Sequence, residues 1–397
     1  MTQPQPVIYN PFDPAFIANP YPFFKELREK DPCHQITAAD GVWLLTRHDD
    51  IDVILHDRER FSVDHRNLKR GPEQDLAYDD IAVILFRDPP QHTRWRRLLS
   101  QGITPARVTA YQPRLAQLID EHLDLLADKG EADFLADVAN PIPFLAISEL
   151  LGMPPQDREQ VHAWTCDIVN LTEPIASPEV TRAIIRSRDE MRDYLREVCA
   201  HKRAHPGDDV LSNLLGAADG FDEEELISHI ILLHVSAPEP TASHLAYGVL
   251  ALARHPAQAD ELRADPELDR NAVEEILRYE APLQITGRYP LEDIKLHGRT
   301  IEAGTAIVMS LASANHDPDK WGPTADELDV RRERANEHLS FARGIHTCFG
   351  SALARMHGQL TFGRMLRRFP RLELLEEPTW STLLNRRGPT QLRISVR

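Results

Sequence analysis

A mainly α-helical fold with a smaller β-rich part follows from three features of the sequence. Apolar residues recur at helical spacing from about Thr93 to Arg203, and a segment from Asp222 to about Arg254 is apolar on most faces. Strand-like stretches are confined to the start of the chain, to Ile285–Met309 and to its end. The 397 residues contain no internal repeat, low-complexity tract or Gly/Ser linker, and the 30 prolines are scattered. A single domain over residues 1–397 is expected rather than a string of modules.

In chain order, Val42 to Thr46 reads as a short strand and Asp49 to His56 as a helix. Between Thr93 and Arg203, Pro113, Pro141, Pro143, Pro154 and Pro178 mark helix starts or ends, because proline lacks an N–H and clashes with the preceding turn. Asp222 and Glu225 have capping-box spacing and open a helix whose apolar surface places it centrally. Arg270 to Tyr279 is amphipathic, and Ile285 to Met309 forms a small sheet divided at Gly298 and Gly304. Asn315 to Asn336 is polar and turn-rich, Leu353 to Phe369 is helical again, and a last strand lies near Ile394.

Composition narrows the function. Hydrophobic residues at 42% and charged residues at 27% suffice to enclose a cofactor or a sizeable pocket. A net charge of −17 disfavours nucleic acid and anionic membranes as partners. The longest apolar runs, such as Ile230–Leu233, fall far short of the ~20 residues of a membrane helix. Met1 to Pro14 has neither the basic start nor the apolar stretch of a secretion signal. Cys33, Cys166, Cys199 and Cys348 form no Cys-x-x-Cys pair, so neither a disulfide framework nor a zinc site is indicated, and a cytoplasmic location fits.

Residues 341 to 355 read Phe-Ala-Arg-Gly-Ile-His-Thr-Cys-Phe-Gly-Ser-Ala-Leu-Ala-Arg, which sets Cys348 in a glycine-bearing loop ahead of an apolar helix. Backbone N–H groups at a helix start stabilise a thiolate, and Gly344 and Gly350 let the backbone approach a flat macrocycle. A lone cysteine is more often a small buried hydrophobe than a ligand; the surrounding pattern reverses that. The segment resembles the haem-binding signature of the cytochromes P450, Phe-x-x-Gly-x-His-x-Cys-x-Gly, and departs from it at Ala342, where glycine is usual, and at Phe349, where leucine is common. The resemblance implies a triangular helical domain with a smaller β-rich part. It also implies haem b, held by Cys348 as metal ligand with Phe341, His346 and Gly350 about it. Thiolate ligation favours O–O cleavage.

Two further motifs follow the order of that family. Glu275-Ile-Leu-Arg278 matches Glu-x-x-Arg, a spacing that by itself only decorates helix faces at ~0.2–0.5 kcal/mol. The resemblance pairs it with a later arginine, Arg331 or Arg332. Asp88 to Arg97 matches the approach to a haem-contacting helix, with His92 and Arg96 on one face. By resemblance these two, with Arg288 and His346, bind the haem propionates; an ordinary basic helix face is the alternative. Arg94 and Arg97 leave a positive patch where an acidic ferredoxin, fed from NAD(P)H through a reductase, would dock; solvated arginines without a partner are the alternative.

The oxygen-activating segment departs from the family. Where members carry Ala/Gly-Gly-x-Asp/Glu-Thr, this chain has Ala237-Pro-Glu-Pro-Thr241: Glu239 keeps the acid, and Pro240 replaces the alcohol that assists proton delivery. In a helix interior Pro240 would force a kink. Thr241 is turned by about 100° and takes over the role only if that kink rotates it inward. The resemblance therefore implies a haem-thiolate oxidoreductase that hydroxylates, couples, desaturates or rearranges a small molecule of secondary metabolism. A peroxide-using enzyme and a non-catalytic haem-binding protein are the alternatives. Leu85, Leu232, Val235, Ser236, Gln284, Ile285 and Leu384 are the expected pocket side chains. The loop from Ser62 to Phe86 adds Asp64, His65, Arg66, Lys69 and Arg70, whose charges read as solvated.

Overall fold

The structure, a computed structural model, describes residues 7–36, 41–69, 83–173, 177–218 and 220–396. The chain forms two compact units. The first comprises Met1–Glu73, Tyr247–Phe349 and Pro378–Thr390, and the second Gln74–Ala246, Gly350–Glu377 and Gln391–Arg397. Each draws on three separated segments.

In the first unit a five-stranded sheet runs in the order Cys33–Ile36, Val42–Leu45, Ile307–Ser310, Ile285–Pro290, Phe61–Ser62. Val42–Leu45 is buried at all four positions, as an apolar Val-Trp-Leu-Leu run requires. It pairs parallel to Ile307–Ser310, with Trp43 opposite Ile307 and Leu45 opposite Met309. The other pairings in this sheet are antiparallel. Ile294–Leu296 and Arg299–Ile301 form a hairpin. Its turn residues, His297 (φ 48°) and Gly298 (φ 73°), both have the positive φ that a two-residue turn of matching twist needs. The helix His48–His56 buries Ile51, Ile54 and Leu55 in the core beneath this sheet.

Behind the sheet, the helix Asp269–Tyr279 carries a buried charge cluster. Glu275 and Arg278 are both fully buried, and the carboxylate takes two parallel bonds from Arg278, at 2.7 and 2.9 Å. Arg332, not Arg331, adds its Nε at 3.0 Å; Arg331 instead pairs with Glu261 at the surface. Backbone carbonyls of Asn315, Ala325 and Glu327 take the remaining Arg278 protons.

The second unit is helical, with a three-stranded sheet in the order Glu131–Asp133, Arg393–Val396, Leu372–Leu374. The helix Ser351–Arg368 packs on Pro105–Lys129, joined by Arg364 to Asp120 (2.7 Å) and Arg368 to Asp124 (2.5 Å). Pro113 does not break its helix as the sequence suggests. Helix continues through it because Val108, Leu115, Leu118 and Ile119 bury on both sides, while Tyr111 and Arg114 both bond Glu149. That packing outweighs the roughly 3 kcal/mol that proline costs a helix interior.

Asp222 caps as expected, accepting the Glu225 N–H at 3.0 Å. The segment it opens is two helices, Glu223–Ser236 and Pro238–Arg254, separated at Ala237.

Candidate active site

Cys348 is exposed, in a loop closed by its own N–H, which donates to the Phe341 carbonyl at 2.9 Å. Within that loop a tight turn, Gly344–His346, is held by the Thr347 hydroxyl on the Gly344 carbonyl at 2.8 Å. Gly344 has φ +70°, and a Cβ there would lie 2.3 Å from the Leu55 carbonyl oxygen, so the position admits only glycine. Ala342 also sits at positive φ, 52°, where a Cβ costs roughly 1–2 kcal/mol. The sequence reads Ala342 as a small departure; the structure shows that it bears backbone strain. Gly350 caps the following helix at φ −84°, and a Cβ there would meet no protein atom within 4 Å. Protein packing does not demand that glycine.

None of the four cysteines is in a disulfide. Burial pushes the Cys33 thiol up to about 12 and the Cys199 thiol to about 11, and raises that of Cys166.

The oxygen-activating segment differs from the sequence expectation in register. Because the chain turns at Ala237, Pro238 and Pro240 lie in the first turn of their helix, where an N–H has no intrahelical partner to lose. Pro240 therefore starts a helix instead of kinking one. The Thr241 hydroxyl donates to the Ala237 carbonyl at 2.7 Å and so satisfies the interrupted turn. The Ser243 hydroxyl donates to Glu239 Oε1 at 3.3 Å.

Comparison with known proteins agrees with this geometry. A family model described as Cytochrome P450 matches residues 162–387. Cytochrome P450 CYP107DY1 of Priestia megaterium is 38% identical over 89% of this chain and 90% of its own. The polyketide biosynthesis cytochrome P450 PksS of Bacillus subtilis is 33% identical over 98% and 99%. The chain belongs to the cytochrome P450 family. The solved structure of PksS superposes with a TM-score of 0.90 at 32% identity, covering 98% of this chain and all of that one. P450BioI, solved with a fatty-acyl acyl carrier protein, does so at 0.89 and 32%, covering 96% and 99%. The expected mainly α fold and monooxygenase class hold, and haem is the family's cofactor. The exposed Cys348 thiol ahead of the Ser351–Arg368 N-terminus, with clearance at Gly350, fits it.

The remaining P450 site residues fall in two groups. In the first unit, Arg288 is buried in its strand and donates to the Gly287 carbonyl at 2.7 Å, while His346 and Phe341 lie half-buried in the cysteine loop. Gln284, Ile285 and Leu384 are brought together by the bond from Gln284 N–H to the Asn385 carbonyl at 2.9 Å. The Gln284 amide, expected to face substrate, donates to the Ala281 carbonyl at 2.6 Å and so holds its own turn. Asp64 is buried and pairs with Arg66, so its charge is paired in the protein where the sequence suggests a solvated one; Arg70 lies outside the described residues.

In the second unit, His92 is buried and Arg96 half-buried on one face of Gln91–Gly102. Burial, reinforced by the Arg96 charge, lowers the His92 pKa, so its imidazole is neutral at pH 7. Arg94 is exposed, lies over the Phe221 ring at 4.3 Å and donates to the Gly220 carbonyl. Leu232, Val235 and Ser236 follow one another on Glu223–Ser236.

Sequence reasoning missed His229 on that same helix. Its Nδ1–H donates to the Glu225 carbonyl at 2.6 Å, and its Nε2 accepts the Ile84 N–H at 3.1 Å. The ring also stacks on Trp95 at 4.0 Å. This neutral imidazole docks the turn Ile84–Phe86, and with it Leu85, onto the pocket helix. A lone histidine in an apolar run carries no such signal.

Burial lowers His229, His234 and His357 from 6.5 to about 4. The unfolded chain therefore binds more protons than the folded one between those values. Stability is complete above about pH 6.5 and falls as pH drops toward 4, each histidine contributing up to about 1.4 kcal/mol per pH unit. Urea midpoints measured between pH 7 and pH 4 are expected to decline; a flat profile would show that these imidazoles are not held neutral.

Proposed function

We propose that this P450 oxidises a small organic molecule of secondary metabolism at a haem held by Cys348. Electrons come from NAD(P)H through a reductase and a ferredoxin-type partner, in the cytoplasm. The observation that carries the reading is the exposed Cys348 thiol in its closed loop ahead of a helix N-terminus. The relatives' coverage of nearly the whole chain supports taking residues 1–397 as one P450 domain. Among the described residues no helix is long and apolar enough to cross a membrane.

When bound, the haem supplies dioxygen activation, with electron density from the thiolate. The protein's part is to hold and orient. By resemblance to the family, His92, Arg96, Arg288 and His346 are the side chains that would hold the propionates. The His92 ring would donate an N–H, while the two guanidiniums would supply charge. By resemblance to the family, Leu85, Leu232, Val235, Ser236, Ile285 and Leu384 are the side chains that would contact substrate. PksS, whose name places it in polyketide biosynthesis, supports a natural-product substrate. Arg97, exposed beside the Phe221-bound Arg94, leads the docking patch for an acidic ferredoxin.

Carbon monoxide difference spectroscopy of the reduced protein tests the ligand. A thiolate-type Soret band is expected in the wild type and its loss in Cys348→His. A histidine-type band in the wild type would overturn the proposal.

A further inference from the structure

We propose that Ser243 positions the Glu239 carboxyl as this P450's proton-delivering group, in place of the alcohol that Pro240 lacks. The inference rests on the reading of Pro238–Arg254 as the oxygen-activating helix.

Three observations converge. The first is that the neighbouring hydroxyl gives its one proton elsewhere: Thr241 Oγ–H donates to the Ala237 carbonyl. The second is angular. At about 100° per residue, Ser243 projects some 40° from Glu239 and 60° from Pro240, so it falls between the acid and the missing alcohol. Thr241 is a full 100° from Pro240. Ser243 thus restores an acid–alcohol pair one turn, about 4.5 Å, further along the same face. The third is contact: Ser243 Oγ–H donates to Glu239 Oε1 at 3.3 Å, and Ser243 is only 7% exposed, so bulk water does not compete freely for that hydroxyl.

A carboxylate on an exposed helix face is mobile; accepting a buried hydroxyl i+4 along the helix favours the rotamers that keep this contact. Ser243 is therefore a positioning residue, and Glu239 the group that holds and passes the proton. The displaced alcohol also accounts for the coexistence of Glu239 with a proline at the next position: the acid needs an orienting hydroxyl, and the helix supplies it from the other side.

The stoichiometry provides a substrate-free test. Dioxygen that receives two electrons and two protons leaves as hydrogen peroxide. With four of each it leaves as two waters, so impaired proton delivery diverts electrons to peroxide. Peroxide released per NADPH consumed is measured on the haem-loaded protein with a surrogate ferredoxin and its reductase. The solvent isotope effect and the carbon monoxide stretching band of the reduced complex are recorded alongside.

Ser243→Ala is expected to raise the peroxide share by about threefold and to shift the carbon monoxide band. Ser243→Thr, which keeps the hydroxyl, returns both toward wild type. Glu239→Gln gives the same rise, and the double variant adds nothing further, because the two residues act as a unit. Ser243→Cys, close in volume but a weak donor, behaves as Ser243→Ala and serves if alanine does not fold. An unchanged peroxide share and an unchanged carbon monoxide band in both Ser243→Ala and Ser243→Cys would overturn the proposal. A wild-type protein without a thiolate-type band would overturn instead the reading on which it rests.

Discussion

Glu275→Ala lowers the stability of this P450 by about 3–5 kcal/mol, the cost of leaving a buried charge without its partner. The carboxylate stands between two guanidiniums, Arg278 at 2.7 Å and Arg332 at 3.0 Å, and also accepts the Asp329 N–H at 2.9 Å. Removing it strands two cations, one fully buried and the other 8% exposed, whose carbonyl partners cannot neutralise them. The damage reaches the cysteine loop. Arg278 binds the Asn315 carbonyl; the Asn315 side chain accepts the Leu339 N–H at 2.8 Å and donates to Ser340 Oγ at 2.8 Å. Phe341, whose carbonyl closes the loop on Cys348, follows at once. Haem content should therefore fall together with the urea midpoint, at unchanged denaturant slope. The nearby Arg331–Glu261 pair, whose side chains are 54% and 40% exposed, is the control: Glu261→Ala costs at most about 1 kcal/mol. Equal losses in the two variants would show that burial is not what makes the cluster matter.

The same residues show how far the sequence can be read. Glu275 and Arg278 are legible because helix geometry fixes an i,i+3 pair. Arg332 is not, since choosing it over Arg331 depends on a turn in which the Arg332 N–H bonds the Asp329 carbonyl at 2.8 Å. Helices with a continuous apolar stripe, such as Asp269–Tyr279 and Ser351–Arg368, fall where their spacing puts them. Proline is read less well, because its local rule depends on register. Pro113 is carried through a helix by flanking tertiary contacts, and Pro240 looks like an interior kink until the turn at Ala237 makes it a first-turn residue. Cys348 is legible because its signature is dense in glycine and histidine at fixed offsets. His229 is not, because what singles it out is an N–H arriving from Ile84, far away in sequence.

Gly344→Ala should cost about 3–4 kcal/mol and abolish haem retention, combining positive-φ strain with overpacking. Strain alone does not account for that figure. Ala342, two residues earlier, already holds a Cβ at φ 52°, so this loop tolerates the dihedral itself. What distinguishes Gly344 is its neighbour: its Cβ would lie 2.3 Å from the Leu55 carbonyl oxygen and 3.4 Å from the His56 Cα. These are backbone atoms at the end of His48–His56, a helix anchored in the sheet core through Ile51, Ile54 and Leu55. No side chain can swing aside, so either that helix or the loop must move. Within the loop, the Thr347 N–H and hydroxyl both bond the carbonyl of Gly344 itself. Displacing residue 344 thus displaces the acceptor on which Thr347, and through it Cys348, depends. The carbon monoxide spectrum of the variant should lose its thiolate-type band at temperatures where circular dichroism still reports a folded protein. A retained band with a lowered melting temperature would show instead that the helix end yields and the sulfur stays in place.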